Sequence, residues 1–451
     1  MKRNILYVIT TLCVVLMSSC SNSDYLNAIP GNSVAIVSMD VGKMNGVNNQ
    51  VLLKALLRVS NLNTSGIDVS RPVFLFESAD GNLGLCAKVD NVNNLEKTIG
   101  NLVSKGVCQA LKEYRDCQFT LLQNAWVVGF TDESILVMGP ITPSNFANQR
   151  NQMAKYLSQS EEKGIRSSHL FEKLDSIDGS MKMVARVDAF PEKLIAPFTL
   201  GAPKGTEPSK IFLSAQMNVE DGCLVIDGET FSFNARIDKA LKEATQTYRL
   251  IQGKYMFTMS KDDVLGLFVN VKGEEFIRLM NENPGFQALL AGVNAAIDMD
   301  NIIKSIDGDM CVIMPSSMED NVRVSMCAQL AHSDWLKDVG YWKQSCPQGG
   351  QIRDWGKDAY YYTDGKTAFY FGVSSDLQFY SGGSEDDARM ALHQSVNPLP
   401  ASMQRLIEKQ KMVMVMNLDA LSKDKDGMDG LSTWLKPLFG DVRSVVYRMK
   451  E

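Results

Sequence analysis

The chain has 451 residues with 46 basic and 52 acidic side chains, a net charge of −6, and 45% hydrophobic against 22% charged residues. That acidity excludes the basic footprint nucleic-acid binding needs, and the hydrophobic share excludes a disordered chain. The length leaves room for two or three domains with a sizeable core.

Met1-Lys-Arg-Asn4 is a short basic start, followed by the apolar run Ile5–Met17. A helix needs about 20 apolar residues to span a bilayer, so this shorter run reads as a signal peptide, residues 1–19. Ser18-Ser19-Cys20-Ser21 resembles the bacterial lipobox, in which the cysteine is acylated and becomes the first residue. Cys20 is therefore the expected lipidation site, and residues 20–24 a tether reaching roughly 14 Å when extended. Several acyl chains on one cysteine anchor firmly, where one chain holds only marginally. Removing residues 1–19 takes Lys2 and Arg3 from the net −6 and leaves −8. No apolar run approaching about 18 residues follows, so no other membrane segment is expected.

Alternating apolar positions predict strands at Val34–Met39, Val73–Phe76 and Val264–Val269. Helical spacing appears in Leu52, Leu56 and Val59, in Leu95, Ile99, Leu102 and Val103, and in Ile237, Ala240, Leu241, Ala244, Tyr248 and Ile251. Val219-Glu-Asp-Gly-Cys223 predicts a hairpin, and Ser176–Gly179 and Ser305–Gly308 predict turns. Adjacent strands mixed with helices indicate α+β with largely antiparallel sheets. Four blocks recur in order at offsets of 230 to 243: Asp24–Val41 with Lys254–Val271, Leu85–Val89 with Met326–Leu330, Ala125–Phe130 with Ala368–Val373, and Met181–Phe190 with Met412–Leu421. The expectation is two tandem related units, 25–252 and 253–451, each a largely antiparallel sheet with packed helices. The second has room for only one strand of the hairpin, near Val442–Met449.

Besides Cys20 there are seven cysteines in the mature chain, none in a Cys-x-x-Cys pair, which removes thioredoxin and zinc-ribbon chemistry. Cys86, Cys223, Cys311 and Cys327 lie in apolar strand patterns and read as buried free thiols, whereas Cys108 and Cys117 could form a local bridge. His169, His332 and His393 do not pair at ligand spacing, and no hydrolase, phosphate-loop or dinucleotide motif is present. Ser160 and Lys163 form one Ser-x-x-Lys without its companion motifs. Asp40, Asp188 and Asp419, with Asn270, follow strands and read as caps. Asp424–Gly430 fails the EF-hand spacing, because Met428 stands where an oxygen ligand is needed. Met412, Met414 and Met416 share one strand face and read as core. No catalytic residue, metal or cofactor is expected.

The least ordinary feature is aromatic. Twelve of the chain's 37 aromatics fall between Trp335 and Tyr380. Tyr360-Tyr361-Tyr362 cannot all enter one core, because consecutive strand residues point to opposite faces. Trp355, Tyr360 and Tyr362 are the candidate residues for binding a glycan, peptide or partner protein.

Cys20, the Tyr25-Leu-Asn-Ala-Ile-Pro30 opening and Ser38-Met-Asp-Val41 resemble the uncharacterised lipoproteins grouped as domain of unknown function 4836, common in Bacteroides-like bacteria. The resemblance implies location and architecture but no activity. The expected function is a lipid-anchored cell-envelope protein that binds or scaffolds without catalysis, with a membrane, through Cys20, and an envelope protein or glycan as partners. The alternative is an envelope hydrolase acting on glycan or peptidoglycan through generic carboxylates. In such envelopes surface lipoproteins carry acidic residues after the cysteine. Ser21–Asp24 offers one, which points to the periplasmic face of the outer membrane.

Overall fold

Period-two patterning makes the chain strand-rich, and tight turns decide how neighbouring strands connect. The computed structural model describes residues 23–43, 54, 62–190, 192–287, 294, 296–315, 324–365, 368–421 and 442–450. The expected signal peptide, Cys20, most of the predicted 52–59 helix and the 424–430 loop lie outside the described residues. The chain divides into two compact units, Met1–Val184 and Ala185–Glu451. Among the described residues no helix is long and apolar enough to cross a membrane.

The first unit carries β1 (Ala35–Met39), β2 (Val73–Glu77), β3 (Leu83–Lys88), β4 (Lys112–Tyr114), β5 (Cys117–Leu122), β6 (Trp126–Phe130), β7 (Ser134–Gly139) and β8 (Met181–Arg186). Their pairing order is β8–β1–β2–β3–β7–β6–β5–β4. A two-residue turn with positive φ at both positions, Arg115-Asp116, joins β4 to β5, and the three-residue connection Gln123-Asn124-Ala125, positive at its first two positions, joins β5 to β6. That backbone matches the strand twist, which is why the order runs as a meander there. The predicted helix forms over Val92–Ser104, with Asn91 Oδ1 accepting the Asn94 N–H and Leu95 and Ile99 buried. Tyr25, at the start of the described chain, is 4% exposed and donates its hydroxyl to the Pro72 carbonyl at 2.9 Å. The Cys86 thiol in turn donates to the Tyr25 carbonyl.

The second unit adds β9 (Phe212–Glu220), β10 (Cys223–Phe231), β11 (Tyr248–Arg249), β12 (Leu265–Lys272), β13 (Ile306–Met314), β14 (Ser325–Leu330), β15 (Gln351–Gly356), β16 (Ala359–Thr363), β17 (Ala368–Val373), β18 (Gln378–Gly382), β19 (Met412–Asn417) and β20 (Ser444–Met449). They pair in the order β9–β10–β20–β19–β12–β13–β14–β18–β17–β16–β15, with β11 beside the end of β12. All these pairs are antiparallel except β10–β20. The run β19–β12–β13–β14–β18–β17–β16–β15 has the same connectivity as the eight strands of the first unit. Its core gathers Tyr255, Phe268, Cys311, Cys327, Val413 and Val446. Each fully buried aliphatic side chain there contributes about 1.5–3 kcal/mol.

The fold is α+β, and two local readings meet a different outcome. The compact units divide at 184/185, and the β9–β10 hairpin, which pairs with β20, belongs with the later strands. Ser305–Gly308 is not a free turn: Ile306, Asp307 and Gly308 begin β13. Cys108 and Cys117 are both buried, and no disulfide joins them. Their backbones pair elsewhere, Cys108 with Leu122 and Cys117 with Tyr114, so no bridge joins them.

Candidate functional site

The aromatic segment folds as the meander β15–β18, and strand parity sorts its rings onto two faces. One face is core. Trp335 stacks on Trp342 at 6.1 Å, and Trp335 also meets Phe371 and Phe379. Trp335 and Trp342 come from the segment Asp334–Ser345, whose short helices cover this side of the meander. Tyr362 lies on this face at 5% exposure, and Phe371 and Phe379 are fully buried. Tyr360 shares the face, half-buried, with its ring 5.7 Å from Phe371 and the Lys343 ammonium 5.1 Å from its centre.

The other face keeps its rings half-exposed. Tyr361 and Tyr370 are cross-strand partners and stack at 5.2 Å with their planes 16° apart. Trp355 stands edge-on to Tyr370 at 5.7 Å and to Tyr380 at 6.2 Å. Its indole N–H donates to the Tyr360 carbonyl at 2.8 Å, which fixes the ring's orientation. The Arg389 guanidinium covers Trp355 at 4.7 Å while donating twice to Glu385. Gly372 permits this arrangement: a Cβ there would stand 2.6 Å from the Tyr380 hydroxyl oxygen. Gln351 and Arg353, exposed on the neighbouring strand and joined by hydrogen bonds at 2.7 and 3.1 Å, add planar polar groups beside the row. Such a face offers rigid ring surface and hydrogen-bonding edges.

The three candidates therefore do not converge. Trp355 stands on the half-exposed face, whereas Tyr360 and Tyr362 point to the opposite one, and Tyr362 is a core residue with no ring surface to offer a ligand. Tyr361, Tyr370, Tyr380 and Arg389 share the face of Trp355. The first three belong to the aromatic run, but only strand register reveals their shared face, and nothing in the local pattern marks Arg389.

The remaining sequence features fall into structural roles. Met412, Met414 and Met416 are buried with Val413 and Val415 in a strand flanked on both sides. Asp40 pairs with Lys43 at 2.8 Å, and Asp188 accepts both arms of Arg186. The cap after β19 is Asn417, which accepts the N–H groups of Asp419 and Ala420, while Asp419 itself stands in the first helical turn. Asn270 is not a cap at all but part of a buried network around Asp309. Among the described residues no three His, Cys, Asp or Glu side chains converge to hold a metal ion.

The first unit holds a parallel to the Arg389–Trp355 contact: Arg150, on the helix after β7, covers Tyr114 of β4 at 4.2 Å. A family model described as a domain of unknown function, DUF4836, matches residues 25–397. The chain belongs to the DUF4836 family. Crystal forms I and IV of TP0453 resemble this DUF4836 chain at 12% and 10% identity, covering 49% and 46% of it and 83% and 81% of their own length, with TM-scores of 0.29 and 0.27. Crystal form III covers 81% of the DUF4836 chain and 96% of its own at 8% identity and a TM-score of 0.21. No curated protein matches it.

Proposed function

We propose that this DUF4836 protein is a cell-envelope lipoprotein, anchored through Cys20, that binds a glycan or an envelope protein without catalysis. The observation that carries the reading is the half-exposed row Trp355, Tyr370 and Tyr361, left over after the opposite face has filled the core. Aromatic rings held rigid at a surface lose little entropy on contact and dominate recognition sites. The basic, apolar and lipobox-like start of the chain supports the anchor, as does the Bacteroides-type resemblance; the lone Asp24 after the cysteine supports the periplasmic side of the outer membrane. We also propose that residues 25–252 and 253–451 are tandem copies. The shared strand connectivity supports this, with Cys86 and Cys327 on β3 and β14, and Met181 and Met412 opening β8 and β19.

The test pairs binding with stability. Tyr361→Ala/Tyr370→Ala, probed with envelope glycan fractions and with envelope extract, should lose at least tenfold in captured ligand, about 1.4 kcal/mol, with a folded far-UV spectrum retained. Unchanged capture by that variant would remove the surface from consideration. A hydrolase acting on glycan or peptidoglycan is the second reading, favoured by Asp263. Burial, opposed by the Ser260 N–H and reinforced by Asp262 and Asp387, pushes its carboxyl up to about 6, a range suited to a general acid. That reading requires glycan cleavage by the wild type that Asp263→Asn abolishes.

A further inference from the structure

Cys311 and Cys327 are direct cross-strand partners in the antiparallel β13–β14 pair. Both are 1% exposed. Directly opposed residues of an antiparallel pair have Cα atoms about 4.5–5.5 Å apart, inside the roughly 4.4–6.8 Å that a disulfide spans. We propose that Cys311 and Cys327 are a modification site, closing into a cross-strand disulfide when the folding chain meets a thiol–disulfide oxidant. One protein thiolate attacks the oxidant's disulfide, forming a mixed disulfide and expelling one oxidant thiolate. The second protein thiolate then attacks the protein sulfur of that mixed bond and expels the other. The two cysteines lose two protons and two electrons, and the oxidant's S–S bond becomes two thiols.

No other cysteine in the described residues has this geometry. Cys86 faces Phe74 across the corresponding pair of the first unit. Cys108 pairs with Leu122, Cys117 with Tyr114, and Cys223 with Glu220 and Ser444. Burial pushes the Cys311 thiol up, so thiolate is scarce once the sheet has closed. The exchange therefore belongs to folding, and the finished bond is shielded from reductant. On its other side Cys327 pairs with Tyr380, so the bond would brace the strand beneath the aromatic row.

The experiment refolds the mature protein from denaturant with oxidised glutathione, blocks free thiols with iodoacetamide under denaturing conditions, and maps the peptides. Cys311 and Cys327 should escape alkylation and appear as one linked peptide pair that reductant separates, while Cys86, Cys108, Cys117, Cys223 and Cys346 are alkylated. The oxidised protein should melt at a higher temperature than the reduced one, a difference that Cys311→Ser removes. Full alkylation of Cys311 and Cys327 after oxidative refolding, or linkage of either to another cysteine, overturns the proposal. Should Cys311→Ser misfold, the wild-type peptide map decides alone.

Discussion

Asp309 is the most demanding side chain of the second unit, a carboxylate only 2% exposed. It remains there because three donors converge on it. Its oxygens accept from the Gln252 N–H at 2.9 Å, the Lys254 N–H at 2.8 Å and the Asn270 amide at 2.7 Å. Arg249 completes the network, donating to Asn270, to the Val271 carbonyl and to Asp307. Asp309→Ala leaves the buried Asn270 amide and the part-buried Gln252 and Lys254 N–H groups without their acceptor, so it should cost about 1–3 kcal/mol, read from the shift of the denaturant midpoint. Tyr362→Ala should cost about 3–5 kcal/mol, because it empties a core position between its cross-strand partners Ile352 and Phe369. Binding that survives in the folded fraction of that variant would agree with Tyr362 having no ligand contact. Asp263 has a pH signature of its own. Its folded carboxyl, raised from the ordinary 3.8 to about 6, holds its proton more tightly than the unfolded chain does. Stability should therefore fall as pH rises from about 4 to 6, the opposite of a salt-bridged acid. Asp263→Asn should flatten that slope in melting curves and melt above the wild type at pH 7.

At the scale of elements, β20 is the strand on which the second sheet's continuity depends. It pairs in parallel with β10 on one side and antiparallel with β19 on the other, and Val446 is wholly buried between them. Arg448 reinforces the junction with a two-armed contact to Asp227 at 2.6 and 2.7 Å. Removing residues 444–451 would expose two unpaired strand edges at once, a template for association. The truncated chain should elute as aggregates on size-exclusion chromatography and lose cooperative unfolding of the second unit. A monomeric elution profile would show that β10 and β19 can close without it. The hairpin feeding this junction is locally encoded: Asp221 and Gly222 both adopt positive φ, the two-residue turn that Asp-Gly favours.

For the whole molecule, the prediction concerns the anchor. Cys20→Ser should move the protein from the membrane fraction to the soluble one, or leave it unprocessed and longer by the signal peptide. Retention of the processed form in membranes would end the lipoprotein proposal. Protease treatment of intact cells should spare the wild type if it faces the periplasm, and rapid shaving would place it on the surface.

The strands at Val34–Met39 and Val264–Val269, the helix at Val92–Ser104 and the hairpin around Asp221-Gly222 were determined by residues within a few positions of one another. Apolar period and turn chemistry act locally, so they can be read in one dimension. The side of the sheet to which Tyr360, Tyr361 and Tyr362 point was not, because parity has meaning only once the partner strands and covering helices are known. The same holds for β10 meeting β20 across more than two hundred residues, for Arg389 reaching Trp355, and for Cys311 facing Cys327. Those are non-local pairings, chosen by the packing of the whole sheet. Tertiary structure alone put Tyr361 and Tyr370 on the face of Trp355 and Tyr360 and Tyr362 on the opposite one, because a strand's alternation acquires an inside and an outside only when its neighbours pack.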